Sequence, residues 1–374
     1  MSALYLYDDH AARRLEPFIS TRPCGELRAG ALLTRERWAL TLGIPVAGHV
    51  TAEHLQDFAE FSAPPCVTTG QLPAGAIVAN ARCLPALGAR PHADVWHTEG
   101  RVAAVRLASA LPVSEFSHGS LDLASLVPPG AVSDDPAGWW LERPWDLIRH
   151  LADMLQSDIA ALAPAIQRAP AVEVTILGSH DVIVEDGARI EPYVVCDTSA
   201  GPILVCAGAT IASFTRLVGP CVIGRDTQVL GGKVATSSIG EGCRVHGELS
   251  TSILLGHANK GHDGFVGHSI LARWTNLGAS TVTSNLKNTY GTVHLWGPDG
   301  ERDTGLRFLG TFFGDHAKTA IATRLMTGTV VGAGASVVSD GPPPRAIAPF
   351  TFGQEGYRLD KFLEVAAKVM PADR

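Results

Sequence analysis

Charged side chains are scarce: Asp, Glu, Lys and Arg make up 18% of the 374 residues, against 46% hydrophobic. That balance excludes a disordered chain or a coiled coil and points to a large packed core. Basic charge is scarcer still. Thirty Lys and Arg face 37 Asp and Glu, a net of −7, so no polycationic surface is available to hold a nucleic-acid backbone. No stretch approaches the 18 or more apolar residues of a membrane span. The opening MSALYLYDDHAARR sets acids where a secretory leader needs an apolar run. The seven cysteines are odd in number and form no CxxC pair, which argues against a disulfide framework or a zinc ribbon. A soluble cytoplasmic protein, with neither nucleic acid nor membrane as partner, is expected.

What is present changes character along the chain. Up to about Leu126, short apolar runs (ALYLY, GAIVA, RVAAVRLA) alternate with helix-like stretches such as TAEHLQDFAEF, as in an α/β domain. The turn-rich VPPGAVSDDPAG, residues 127 to 138, reads as a linker. Pro144 then suits a first helical position, and Leu147, Ile148, Leu151, Met154, Leu155, Ile159 and Leu162 make an apolar stripe at spacings of three and four. One helix bridging two domains is predicted there.

From about Val172 the period becomes six. Val205, Ile211, Leu217, Ile223 and Val229 keep that beat, with small residues Ala209, Thr215, Cys221 and Thr227 four places behind each aliphatic one. The beat returns at Ile239 and Val245, at Phe265, Leu271 and Leu277, and at Thr319, Leu325, Val331 and Val337. Such hexapeptide repeats build a parallel β-helix: an aliphatic side chain points inward from each short strand, and three hexads close a triangular coil of about eighteen residues. Cys206, Cys221 and Cys243 read as small inward fillers. An interior filled with aliphatic groups leaves no room for a ligand, so chemistry must lie outside, where a concave pocket forms most easily between neighbouring prisms. A homotrimer is the expected assembly. The beat slips in HANKGHDG and breaks at residues 286 to 308, both candidate binding loops. Leu359, Phe362, Leu363, Ala366 and Val369 mark a terminal helix expected to pack on the open end of the coil.

Chemistry-bearing residues crowd between 247 and 288. On an eighteen-residue coil, spacings of 14 and 23 bring positions back to neighbouring edges, so His262, Asn276 and Asn285 are predicted to converge. Here the sequence resembles the GlmU-like family, the bifunctional N-acetylglucosamine-1-phosphate uridyltransferases and glucosamine-1-phosphate acetyltransferases, and more closely its short Bacteroidetes-type variant. The resemblance runs from LYDDHAARRLEPFISTRPCGELRAG through NKGHDGFVGHS, WTNLGASTVTSNLKN and TGLRFLGTFFGDHAKT to TGTVVGAGA. It implies an acyl-CoA-dependent N-acetyltransferase of an amino sugar, with glucosamine 1-phosphate as the expected acceptor and acetyl-CoA as co-substrate. His262 would be general base, since an amine must lose a proton to attack a thioester and a neutral imidazole suits that task. Asn276 and Asn285 would orient sugar and nucleophile, and Glu248 would hold the imidazole or a sugar hydroxyl. Backbone N–H groups of the coil edge would meet the oxyanion.

Two positions depart from the family's main branch. Phe265 stands where it has a tyrosine three residues after the base, and Ser250 where it has a lysine. The short variant shares the phenylalanine. A substrate phosphate would then fall to Lys233, Lys260, Lys287 or Arg273. Blander readings stand beside these: asparagine ladders that satisfy turn backbone, and solvated histidines and lysines. A zinc reading also competes, because His257 and His262 keep the five-residue interval of γ-class carbonic anhydrases, with His246 or His268 as a third ligand. A non-enzymatic scaffold is the third alternative.

In the N-terminal half, RRLEPFISTRPCGELRAG resembles the second part of a sugar nucleotidyltransferase signature, with Arg14 and Arg22 at its basic positions. The preceding glycine-rich loop is replaced by Tyr7, Asp8, Asp9 and His10, acids that repel a triphosphate unless magnesium bridges them. Either uridylyl transfer is retained, with Mg, or the domain is a relic that binds a sugar nucleotide or shapes the trimer. The expected layout is a truncated nucleotidyltransferase-like α/β domain (1–138), a linking helix (139–171), a left-handed parallel β-helix acyltransferase domain (172–345) and a tail with a helix (346–374).

Overall fold

The computed structural model describes residues 3–88, 90, 92–170 and 174–372. The expected start of the repeat at Val172 lies outside them. The chain divides into two compact units, Met1–Leu147 and Ile148–Arg374. Among the described residues no helix is long and apolar enough to cross a membrane.

The first unit is built on a six-stranded mixed sheet. Its strands are β1 (Leu4–Tyr7), β2 (Val46–Val50), β3 (Ile77–Asn80), β4 (Val95–Thr98), β5 (Arg101–Arg106) and β6 (Ser133–Asp134), in the spatial order β6-β4-β5-β3-β1-β2. Central β1 runs parallel to both neighbours, which is why LYLY is apolar throughout and almost wholly buried. Helix α1 (Thr34–Leu42) precedes β2 and stops at Gly43, which takes the left-handed conformation a helix end favours. Its Trp38 is buried and donates its indole N–H to the Cys83 carbonyl at 3.0 Å.

The stripe predicted as one bridging helix is two: α2 (Asp146–Arg149) and α3 (Leu151–Leu162), separated at His150, whose ψ of 4° is not helical. The period survives the break, since Leu147, Ile148, Leu151, Met154, Leu155 and Ile159 are all buried.

The second unit is a parallel β-helix with three faces. The first face has six strands, from Thr175–Gly178 to Phe265–Gly267; the second has nine, from Val182–Val184 to Ala346–Ile347; the third has ten, from Arg189–Ile190 to Glu355–Gly356. Every pairing on these faces is parallel except the last, where Glu355–Gly356 turns back on Thr351–Phe352. Val205, Ile211, Leu217, Ile223 and Val229 all enter one continuous interior column, together with Cys196, Cys221 and Cys243; Cys206 is only half buried. Thr227 serves the turn as the small residue of its hexad should: its hydroxyl donates to the Gly240 carbonyl and accepts from the Cys243 N–H.

Coil length is not constant. Val205 pairs with Ile223, eighteen residues on, but Ile239 pairs with Leu254, fifteen on, and Leu254 with Leu271, seventeen on. At the predicted insertion Ile270 pairs directly with Phe312, and the intervening chain forms an antiparallel hairpin, His294–Gly297 with Gly300–Asp303. The terminal helix α4 (Leu359–Ala372) seats less of its stripe than expected. Ala366 is buried and Phe362 packs edge-on against His316, Phe350 and Tyr357, while Leu359 and Leu363 remain exposed.

Leu254 lies at the centre of the aliphatic column and is wholly buried. Leu254→Ala is expected to cost about 2–5 kcal/mol through lost contacts and a residual cavity, read as a lowered urea midpoint with unchanged slope.

Candidate active site

The coil length sets which polar side chains meet. Between the turns that carry the candidates the repeat is seventeen residues, so Asn276 lies in register with Asn259, and by the same step Asn285 comes over His268. The eighteen-residue assumption fails here, since these turns are seventeen residues long. His262 occupies the corner between the third and first faces, Asn276 the third face one turn on, and Asn285 the corner between the first and second faces. Among the described residues no hydrogen bond joins His262 to either asparagine.

Each group has other neighbours. The His262 imidazole is exposed and has no hydrogen-bond partner among the described residues. Asn276 accepts at Oδ1 from Asn259 Nδ2 at 2.8 Å, and Asn259 accepts from the Gly261 N–H at 3.0 Å. This is an asparagine ladder that steadies the turn leading into His262, and it leaves the Asn276 amide N–H groups free to donate outward. Glu248 does not hold the imidazole. It projects from the first face in a column with Lys233 one turn before and Phe265 one turn after, and pairs with Lys233 Nζ at 3.4 Å.

A second polar cluster lies at the corner of the first and second faces. His268 Nδ1 and Asn285 Nδ2 are 2.8 Å apart, and Phe308, from the end of the insertion, stacks on the imidazole at 5.4 Å. The Phe265 ring lies across Gly267, where a Cβ would come within 2.4 Å of the ring and 2.7 Å of Asn285 Nδ2, so only glycine admits this arrangement. Burial holds the His268 imidazole down at about 4. The sequence offers His268 only as a candidate zinc ligand; its position seventeen residues before Asn285 is the signal for this pairing, hidden by the assumed period.

Three of the four basic side chains expected to meet a phosphate are committed elsewhere. Lys260 points into the prism, where Nζ donates to the His246 carbonyl at 2.7 Å and to the His262 carbonyl. Arg273 is 2% exposed and pairs with Glu241 at 3.0 Å. The His257 imidazole, 3.8 Å away, and the Arg273 charge hold the Glu241 carboxyl down at about 2 against the opposing effect of its burial. Lys287 Nζ donates to the Thr292 carbonyl within its own loop. Lys233 alone of the four keeps an exposed ammonium on the first face.

The zinc reading fails on placement. His257, His262 and His268 sit at three different corners of the prism. His257 stacks on Trp274 at 4.4 Å in a column of rings that continues through His316, and His246 turns its Nδ1 to Asp263 at 3.2 Å. Among the described residues no three His, Cys, Asp or Glu side chains converge as a metal would require.

In the first unit a cleft of about 630 Å³ opens outside the carboxyl ends of β1 and β2, where open parallel sheets bind ligands. Asp8 and Asp9 lie there, but their carboxylates are already used. Asp8 is half buried and accepts from the Thr51 hydroxyl at 2.6 Å and the Cys24 N–H. Asp9 accepts from Arg82 at 2.6 and 2.7 Å, from Asn80 and from the Ala12 N–H. These two carboxylates do not fit a magnesium site. Gly119 comes close to the segment after β1: a Cβ on it would lie 2.2 Å from the His10 nitrogen. Neither expected arginine is poised for a nucleotide. Arg22 is 1% exposed and forms a two-pronged pair with Glu60, while Arg14 faces Glu142 at 4.0 Å. Sequence reasoning missed Asn80 and Arg82, which have no motif and act through the fold.

Comparison with known proteins covers both units. Residues 4–165 match a family model described as sugar nucleotidyl transferase. A bifunctional GlmU protein from Herminiimonas arsenicoxydans is 26% identical over 206 residues, 52% of this chain and 41% of that protein. A bifunctional sugar-1-phosphate nucleotidylyltransferase/acetyltransferase from Sulfurisphaera tokodaii is 30% identical over 90 residues, 24% of this chain and 22% of that one. The chain therefore spans less than half the length of these curated relatives. A solved Bacillus cereus acetyltransferase structure matches 52% of this chain and 94% of its own at 13% identity, with a TM-score of 0.19.

His268 gives a pH signature. Its folded pKa of about 4 lies below the unfolded value near 6.5, so between those limits the unfolded chain binds the extra proton. Stability contributed by the neutral imidazole is complete above about 6.5 and is lost as pH falls toward 4. The urea midpoint should fall over that window in the wild type and fall less in His268→Phe; equal slopes in the two proteins would contradict the assignment.

Proposed function

We propose that this chain, which is similar to GlmU proteins and matches a sugar nucleotidyl transferase model over residues 4–165, uses its β-helix to transfer an acyl group from acyl-CoA to the amine of an amino sugar. One observation carries the reading: a single chain joins a domain of that family to a β-helix whose corner offers an exposed, unpaired imidazole. Acetyl-CoA is the proposed donor and glucosamine 1-phosphate the proposed acceptor.

In this mechanism His262 takes a proton from the acceptor amine as its nitrogen attacks the thioester carbon. The carbonyl electron pair moves to oxygen, returns as the tetrahedral intermediate collapses, and expels the CoA thiolate, to which the imidazolium returns the proton. The outward amide of Asn276 orients the sugar. Lys233, with Glu248 beside it, is the proposed contact for a sugar phosphate; Phe265 and Asn285 line the first face beyond. A homotrimer would complete the site. Support comes from Tyr193 and Phe214, 74% and 78% exposed and stacked at 5.6 Å on the same corner as His262, an apolar surface that a neighbouring copy would cover.

For the first unit we propose ligand binding without nucleotidyl transfer, supported by the committed carboxylates of Asp8 and Asp9 and by the close approach of Gly119 to His10. A sugar nucleotide is the proposed ligand of its cleft.

Thiol release from acetyl-CoA, screened over amino sugars and their 1-phosphates, should show turnover that falls on the order of 10²-fold or more in His262→Ala; near-normal turnover in the folded variant would remove the mechanism. Separately, incubation with UTP, magnesium and N-acetylglucosamine 1-phosphate should release no pyrophosphate. Its release at a catalytic rate would establish the bifunctional alternative.

A further inference from the structure

Lys260 is a cation in an unusual place. It occupies an inward position of the third face, in register with Val245 and followed one turn on by the column that holds Leu277, and is 2% exposed. Val245 and Leu277 belong to the aliphatic interior. Among the described residues no carboxylate lies within ion-pairing distance of its ammonium. Desolvating a charge without an ionic partner works against stability, and a methionine of similar volume would avoid that cost. Retaining lysine here calls for a reason other than packing.

The reason lies in what the ammonium holds. Nζ donates to the carbonyls of His246 and His262, two residues of the same corner on successive turns. Both peptide bonds are trans. A trans peptide is planar, with its C=O and N–H pointing opposite ways. Each carbonyl drawn inward therefore turns the following N–H outward: that of Gly247 and that of Asp263. Among the described residues neither N–H has an acceptor. The Asp263 N–H thus faces the solvent side of the corner, on the residue adjoining His262.

We propose that Lys260 is a positioning residue, which pins the His262 carbonyl inward and so presents the Asp263 N–H as a donor to the oxyanion of the acyl-transfer intermediate. The proposal rests on the acyl-transfer reading of the same corner. When the amine nitrogen bonds to the thioester carbon, the carbonyl electron pair moves to oxygen and that oxygen accepts from the Asp263 N–H. As the C–S bond breaks the pair returns and the N–H is released. A donor fixed before the reaction stabilises the developing charge without reorganising. Hydrogen bonding of the same peptide's carbonyl to an ammonium polarises its N–H and strengthens it as a donor. Burial pulls the Lys260 ammonium down to about 8, against the opposing pull of Asp263, which still leaves it mostly charged at neutral pH.

The test compares wild type, Lys260→Met, Lys260→Gln and His262→Ala by thermal melting, steady-state kinetics and crystallography. In Lys260→Met the Tm should equal or exceed that of wild type, KM for acetyl-CoA and sugar should stay within about twofold, and kcat should fall about 10²-fold, the scale of losing one oxyanion donor. Its crystal structure should show the His262–Asp263 peptide rotated, with the carbonyl no longer directed inward. Lys260→Gln, able to give fewer hydrogen bonds and no charge, should fall between, and is read by the same criteria if the methionine variant does not fold. Unchanged kcat, or a peptide that keeps its orientation without the ammonium, overturns the proposal. Should wild type itself show no acyl transfer, the reading of His262 fails as a base, while the peptide orientation in the variants still decides whether Lys260 sets it.

Discussion

The second unit depends on one constraint: every turn must send its apolar side chain into the same narrow column. Val205, Ile223, Ile239, Leu254 and Leu271 obey it rung after rung, and the burial they achieve is what holds the short strands together, since strands of two or three residues have little stability of their own. The interior is consequently spent on packing. Polar groups are confined to the outward positions of the faces and to the three corners, and each corner has developed its own chemistry: an asparagine-steadied turn with an exposed imidazole at one, a neutral histidine under a phenylalanine at the second, and a stack of rings at the third.

The exceptions to that constraint are informative for the same reason. Lys260 enters the column where the beat slips, and a lysine can do so only because its four-carbon stem packs like its aliphatic neighbours while its head reaches the carbonyls of the corner. The slip is no random irregularity of sequence. Turns of fifteen and seventeen residues in place of eighteen change which corner residues stand above one another, and so decide the partners of Asn276 and Asn285.

Much of the architecture was legible in the sequence because its determinant is periodic. Hexads at Val205 to Val229 specify strand, turn and inward direction together, and the break at 286 to 308 announces the hairpin that interrupts them. The site was less legible, for a geometric reason: a spacing of 14 or 23 residues means proximity only if the coil length is known, and the turns here are seventeen residues long rather than eighteen. Burial was the other blind spot. Lys260 and Arg273 read as surface cations, yet one faces inward and the other is closed in against Glu241. In the first unit the motif YDDH signalled a lost glycine loop, but nothing local to it revealed that Arg82 would pair with Asp9 and Gly119 would approach His10, because they arrive from distant parts of the chain.

The last strand of the β-helix has a consequence for how copies of the chain can meet. A stack of parallel strands finishes in a row of unsatisfied amides, a template on which another stack could continue without limit. Here Glu355–Gly356 folds back against Thr351–Phe352 in the opposite sense, and α4 follows at once with Phe362 against the final rings of the corner column. The reversal ends the parallel pattern of the third face at that pole. His262 lies away from that cap and stays exposed on the flank of the prism.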